Sequence, residues 1–277
     1  MIPQTAHIFR LGVGLLGALN LVIAIAFYRR HAWVASIWPW ETGYEGLAPL
    51  SLYFLSSIAA AISAPLLWIA ASGAIRAAAA GAFNLTVAFV GIAGYMVIGL
   101  MADPAANLRL AAAASLVGLF AVASLVTWRL TRCLPTRDCR PMPAIVRGSF
   151  LLFTLTLIAV GSALVSVHPG VLPWDLTPEA SVTYGWIFLG AATYFGYGAA
   201  RPLWENAVGP LWGFLAYDVV LIVPFVQRFA DVPPNLRTSL IVYTAFIVYS
   251  GLLASHFLFI NTATRLQSAV GVRATHH

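Results

Sequence analysis

The chain contains no lysine, and only 9% of its 277 residues carry a charge. Soluble domains carry about 25% charged residues. With 61% hydrophobic residues, no soluble fold of this length could hide its apolar surface, so the composition is that of an integral membrane protein. Without a lysine amine, a retinal Schiff base and Walker-type phosphate binding are both excluded. The two cysteines, Cys133 and Cys139, lie in one polar loop. Their spacing matches no standard zinc pattern, and no histidine accompanies them. Of six histidines, only His256 falls clearly inside an apolar span. A bis-histidine haem needs two ligands at matching depth, so haem is disfavoured. The same scarcity argues against an intramembrane metalloprotease or di-iron oxygenase. The net charge of +6 points away from nucleic acid, because the arginines flank apolar spans instead of alternating with aromatics. The cofactor is left open, with bound lipid compatible.

Long apolar runs fill what remains. A helix needs about 20 apolar residues to cross the hydrocarbon core. Eight segments qualify, near 8–28, 49–71, 77–101, 110–128, 145–167, 181–200, 209–229 and 238–261. The first is long enough to span and lacks a small-residue cleavage site, so it reads as a span and not a leader. The loop 129–147 holds Arg129, Arg132, Arg137, Arg140 and Arg147. Arginine excess marks the cytoplasmic side. Eight spans then put both termini in the cytoplasm, with Arg10, Arg76, Arg201, Arg265 and Arg273 on the same side. Arg29, Arg30, Arg109, Arg228 and Arg237 fall outside.

The second half repeats the first. Pro39-Trp40-Glu41 returns as Pro173-Trp174-Asp175, and in the same register Glu45 meets Glu179 and Phe54-Leu55 meets Phe188-Leu189. Later, Asp103, Asn107, Leu108 and Arg109 return as Asp231, Asn235, Leu236 and Arg237. Self-similarity of this kind decides architecture before local reading does. The expected fold is all-α, with eight transmembrane helices as two parallel four-helix repeats. A pseudo-twofold axis along the membrane normal relates them. The expected divisions are 1–128, first repeat; 129–144, cytoplasmic linker; 145–265, second repeat; and 266–277, cytoplasmic tail.

Six of the nine acids form three repeat-related pairs on the outer side: Glu41 with Asp175, Glu45 with Glu179, and Asp103 with Asp231. Arg109 and Arg237 join them against the positive-inside trend. Two readings stand. One is a polar vestibule admitting a cation or polar solute. The other is a latch: Asn107 and Asn235 cap the fourth and eighth helices, and the two arginines tie the Asp103 and Asp231 loops to the tryptophan loops.

Asp218 is the one acid well inside a span, and its repeat position is Val87 or a neighbour. A charge at bilayer depth costs at least ~2.5–3.5 kcal/mol, so the carboxyl must point into the bundle. Counting ~1.5 Å per residue places His256 and Tyr249 as its expected partners on the last span. The site reads either as a proton or cation site or as an interhelical hydrogen bond. Aromatic residues on the sixth span, among them Tyr184, Trp186, Phe188 and Tyr197, fit packing, a pigment or a quinone.

Three functions compete. A non-enzymatic accessory or scaffold subunit of a larger membrane complex leads, with lipid and other membrane subunits as partners. A small-solute or proton-coupled transporter follows, and an enzyme acting on a lipid-soluble substrate comes third.

Overall fold

Inside hydrocarbon every backbone N–H and C=O must bond within the protein, so a spanning chain becomes helix. The computed structural model describes residues 3–40, 48–102 and 108–265, and among them the chain is almost entirely helical. Eight long helices follow one another: α1 (Pro3–Tyr28), α2 (Pro49–Ser72), α3 (Ala78–Ala102), α4 (Leu108–Thr131), α5 (Ala144–Val165), α6 (Pro178–Ala200), α7 (Glu205–Arg228) and α8 (Arg237–Ser255). A π-helical turn, His256–Ile260, extends α8. Each expected segment coincides with one helix. Sequence signals mark several boundaries. Pro49 and Pro178 open α2 and α6, where a missing N–H costs nothing. The Thr177 side chain accepts a bond from the Ala180 N–H. Gly73 closes α2 with a left-handed φ of 70°, as glycine does at helix ends.

Seven of the eight helices are long and apolar enough to cross a membrane. The exception is α6, which is as long but richer in tyrosine and glycine. Its side chains are largely buried against α3 and α5, so it has less need of a lipid-compatible surface.

The helices pack in a fixed pattern. α1 lies on α2, α5 on α6, α3 on α4 and α7 on α8. The two most extensive contacts between the halves are α2 with α7 and α3 with α6. Thus α2, α3, α6 and α7 form the centre, and α1, α4, α5 and α8 the periphery. Peripheral leucines such as Leu15, Leu119, Leu155 and Leu252 are exposed, giving an outer surface suited to lipid. Small residues set the central distance: the Trp186 indole lies directly on Gly91 of α3, where any side chain would collide with it.

Phe54, on α2 and fully buried, is the aromatic hub between the halves. Its ring centroid lies 4.7 Å from Tyr184, 5.6 Å from Phe188, 5.9 Å from Trp174 and 6.4 Å from Tyr217. Aromatic pairs at such spacing contribute beyond their buried area. Towards the other end, Phe153, Phe195 and Phe214 form a second aromatic cluster, with Phe195 and Phe214 stacked at 4.6 Å. Phe54→Ala is expected to cost about 3–5 kcal/mol, in the range of buried aromatic truncations. Leu119→Ala on the exposed face of α4 should stay within about 0.5 kcal/mol. Unfolding of detergent-solubilised protein measures both.

Candidate functional site: a buried carboxyl and two polar ends

α7 carries Asp218 to the middle of the bundle, thirteen residues beyond Glu205. That is about 20 Å from the helix start at 1.5 Å per residue. The residue is only 6% exposed. It faces α8, where the Ser250 hydroxyl lies 3.1 and 2.9 Å from its two carboxyl oxygens. Ser250 also bonds its own backbone at Phe246 O, 2.8 Å. Gly251 leaves room for the carboxyl, since a Cβ there would meet Asp218 Oδ2 at 3.2 Å.

The neighbouring Tyr217 points towards the opposite end of α8, and its hydroxyl bonds that of Tyr243. Ser57 of α2 lies beside the same hydroxyl, although its own hydrogen bond goes to Phe54 O, 2.7 Å. Ser57, Tyr217, Asp218, Tyr243 and Ser250 thus form a polar locus among three helices.

The expected partners of Asp218 are corrected. Tyr249 turns the other way and shares a 2.6 Å bond with Ser149 of α5. His256 opens the π-helical turn and is exposed, packed edge-on against Phe257. Ser250 takes the bond instead.

At the end of the bundle expected to face outward, Glu41, Glu45, Asp103 and Asn107 lie outside the described residues. Arg109, at the start of α4, donates to the Trp38 carbonyl and so joins α4 to the segment after α1. Arg237 is exposed, and its side chain makes no hydrogen bond among the described residues. In its place the Ser239 hydroxyl donates to Gly170 O at 2.6 Å, joining α8 to the segment after α5. The expected Asn235 cap is also absent, because Leu236 precedes α8 without a side-chain cap. The exposed Asp231 pairs at 3.2 Å with the half-buried Arg228 three residues before it, and the solvent around the carboxylate keeps the pair's energetic weight small. Asp175 is exposed, and Glu179 is half-buried beside Tyr95 of α3.

The opposite end holds a node that sequence reasoning missed. Glu205, 2% exposed, opens α7, where a carboxylate suits the helix dipole. Its Oε2 accepts from the backbone N–H groups of Arg137 and Asp138 at 2.5 and 2.9 Å. The loop is thereby folded onto the bundle. Arg137 donates to Ser72 O, 2.6 Å, at the end of α2, and Arg10 donates to Ala70 O, 2.9 Å. Arg147 donates to Ala199 O, 3.1 Å, at the end of α6. Arginines thus satisfy helix C-terminal carbonyls, where cations are favoured.

Asp138 and Arg140 pair at 2.6 Å. Burial pushes the Asp138 carboxyl up, but hydrogen bonds and charge from Arg140 outweigh it and hold the carboxyl below its ordinary value. The pair's stabilisation is therefore present above the ordinary carboxylate range and is lost as the pH falls through the depressed value.

Among the described residues no three His, Cys, Asp or Glu side chains cluster as a metal would need. No family model, curated protein or solved structure matches the chain.

Three outcomes follow. Asp218→Asn keeps a hydrogen-bonding group towards Ser250 and should leave thermal stability nearly unchanged. Asp218→Leu should lose about 1 kcal/mol, the scale of a polar bond between membrane helices. Glu205→Ala leaves two amides without an acceptor and should destabilise the loop by about 2 kcal/mol. Faster hydrogen exchange at Arg137 and Asp138, absent in Glu205→Gln, is the check.

Proposed function

We propose that the chain is a non-enzymatic accessory or scaffold subunit of a larger membrane complex. It crosses the membrane eight times as two parallel four-helix repeats, with both termini cytoplasmic. Residues 1–128 and 145–265 are the repeats, 129–144 the linker and 266–277 the tail. The packing pattern supports this reading. Exchanging the halves turns each contact, α1 on α2, α3 on α4 and α2 on α7, into another observed contact, α5 on α6, α7 on α8 and α6 on α3. Phe54 and Phe188, repeat-related by sequence, touch each other, as side chains beside a twofold axis do. Trp40 packs on Tyr95 at 5.1 Å, and Trp174 packs on Phe225 at 6.1 Å, two contacts that the repeat also relates. α6, lying between α5 and α7, crosses in the protected centre.

One observation carries the scaffold role: the interior serines Ser56, Ser63, Ser181 and Ser250 are each engaged with another helix of the same bundle. Ser56 donates to Ala24 O, Ser63 to Gly17 O and Ser181 to Leu164 O, at 2.7, 2.8 and 2.7 Å. Asp218 is held by Ser250 in the same way. Such groups join helices to one another.

A second reading, a proton-coupled transporter, draws on the burial of Asp218 beside Tyr217 and Tyr243. Purification in mild detergent from native membranes separates the two. The scaffold reading expects stoichiometric co-purifying membrane subunits. A monodisperse lone protein that moves protons in vesicles, and stops doing so as Asp218→Asn, contradicts it.

A further inference from the structure

A groove of about 450 Å³ opens on the outside of the bundle. Its floor is α6, from Trp186 to Tyr197, and its walls are α3 with Phe83 and Val87 and α5 with Ile158. Two threonines line it, yet Thr154 donates to Phe150 O and Thr193 to Gly190 O, both at 2.7 Å. Their hydroxyls are satisfied by their own helices, so the groove behaves as hydrocarbon. From Trp186 to Tyr197 it runs eleven residues of helix, roughly 16 Å. One leaflet of the hydrocarbon core is about 15 Å deep.

The groove ends on the side of the arginine-rich loop. Tyr197 carries the Arg201 guanidinium 4.3 Å above its ring. On the opposite wall Phe83 packs on Trp128 at 5.2 Å, and Trp128 carries Arg132 at 4.7 Å. Both guanidiniums are thus held by aromatic faces continuous with the groove. Other arginines at this end, including Arg10, Arg137, Arg140 and Arg147, donate to protein acceptors. Arg132 and Arg201 are exposed and have no acidic partner or hydrogen bond from their side chains among the described residues.

We propose that this groove binds one acyl chain of an anionic phospholipid, with the phosphate between Arg132 and Arg201. Charge complementarity at the mouth and a slot one leaflet deep select a negatively charged amphiphile over a neutral one. The proposal rests on the membrane-spanning reading and is independent of the scaffold role, because it concerns the isolated chain.

Native mass spectrometry of the full chain in detergent, titrated with phosphatidylglycerol or phosphatidylcholine, tests it. Phosphatidylglycerol should be retained in preference. The double variant Arg132→Gln, Arg201→Gln should weaken its binding about tenfold or more. Arg29→Gln, Arg30→Gln at the other end should leave it unchanged. Gly196→Leu fills the groove and should also weaken binding. A Cβ at Gly196 meets Thr154 at an ordinary 3.5 Å, so the variant should fold, and its thermal unfolding confirms this. Equal retention of both lipids overturns the proposal. So does binding unaffected by Gly196→Leu, or full displacement by soluble glycerophosphate, either of which would mean that only the headgroup is held.

Discussion

A hydroxyl or carboxyl inside hydrocarbon has no water to bond, so its partner must come from the protein. This constraint sets the arrangement of the bundle. Ser56 and Ser63 bond backbone carbonyls of α1 and hold α1 on α2. Ser181 does the same for α6 on α5, and Asp218 with Ser250 for α7 on α8. Lipid tails are as apolar as leucine, so hydrophobic burial alone does not choose between helix neighbours. Polar bonds and close-fitting small residues choose instead, and the Phe54 cluster fills the space they enclose.

The two ends of the bundle solve the same problem differently. At the arginine-rich end, Glu205 gathers loop amides while Arg10, Arg137 and Arg147 cover the carbonyls that end α2 and α6. At the other end, indoles and hydroxyls do the joining. The Trp174 N–H donates to Ser51 at 2.9 Å. In the register of the sequence repeat Ser51 corresponds to Gly185, and the buried Trp40 N–H has no partner among the described residues. A bond formed in one half is thus missing at the corresponding place in the other.

Much of this was legible in the sequence. Apolar run lengths located all eight helices, because the membrane demands a minimum span. Asp218 stood out as the one acid inside a span. Its partner did not. Depth counting brings Tyr249 and Ser250 to nearly the same level, but successive residues point about 100° apart around a helix. In α8 both the lipid side and the protein side are apolar, so no amphipathic stripe reveals which residue faces inward. Glu205 was missed for a different reason. An acid beside a span end resembles an interface charge until a loop 68 residues away in sequence folds over it. Arg237 shows the limit of repeat logic: Arg109 bonds Trp38, whereas in the second half the tie passes to Ser239.

Two parallel repeats inserted in the same direction are the central claim, and labelling with a membrane-impermeant thiol reagent tests it most directly. Cys133 lies in the arginine-rich loop, and Thr177 lies at the start of α6. In intact cells, a chain whose one cysteine is Thr177→Cys, with Cys133 and Cys139 replaced by serine, should be labelled. A chain keeping only Cys133 should be labelled only after the membrane is opened. Labelling of both positions from the same side would contradict the account.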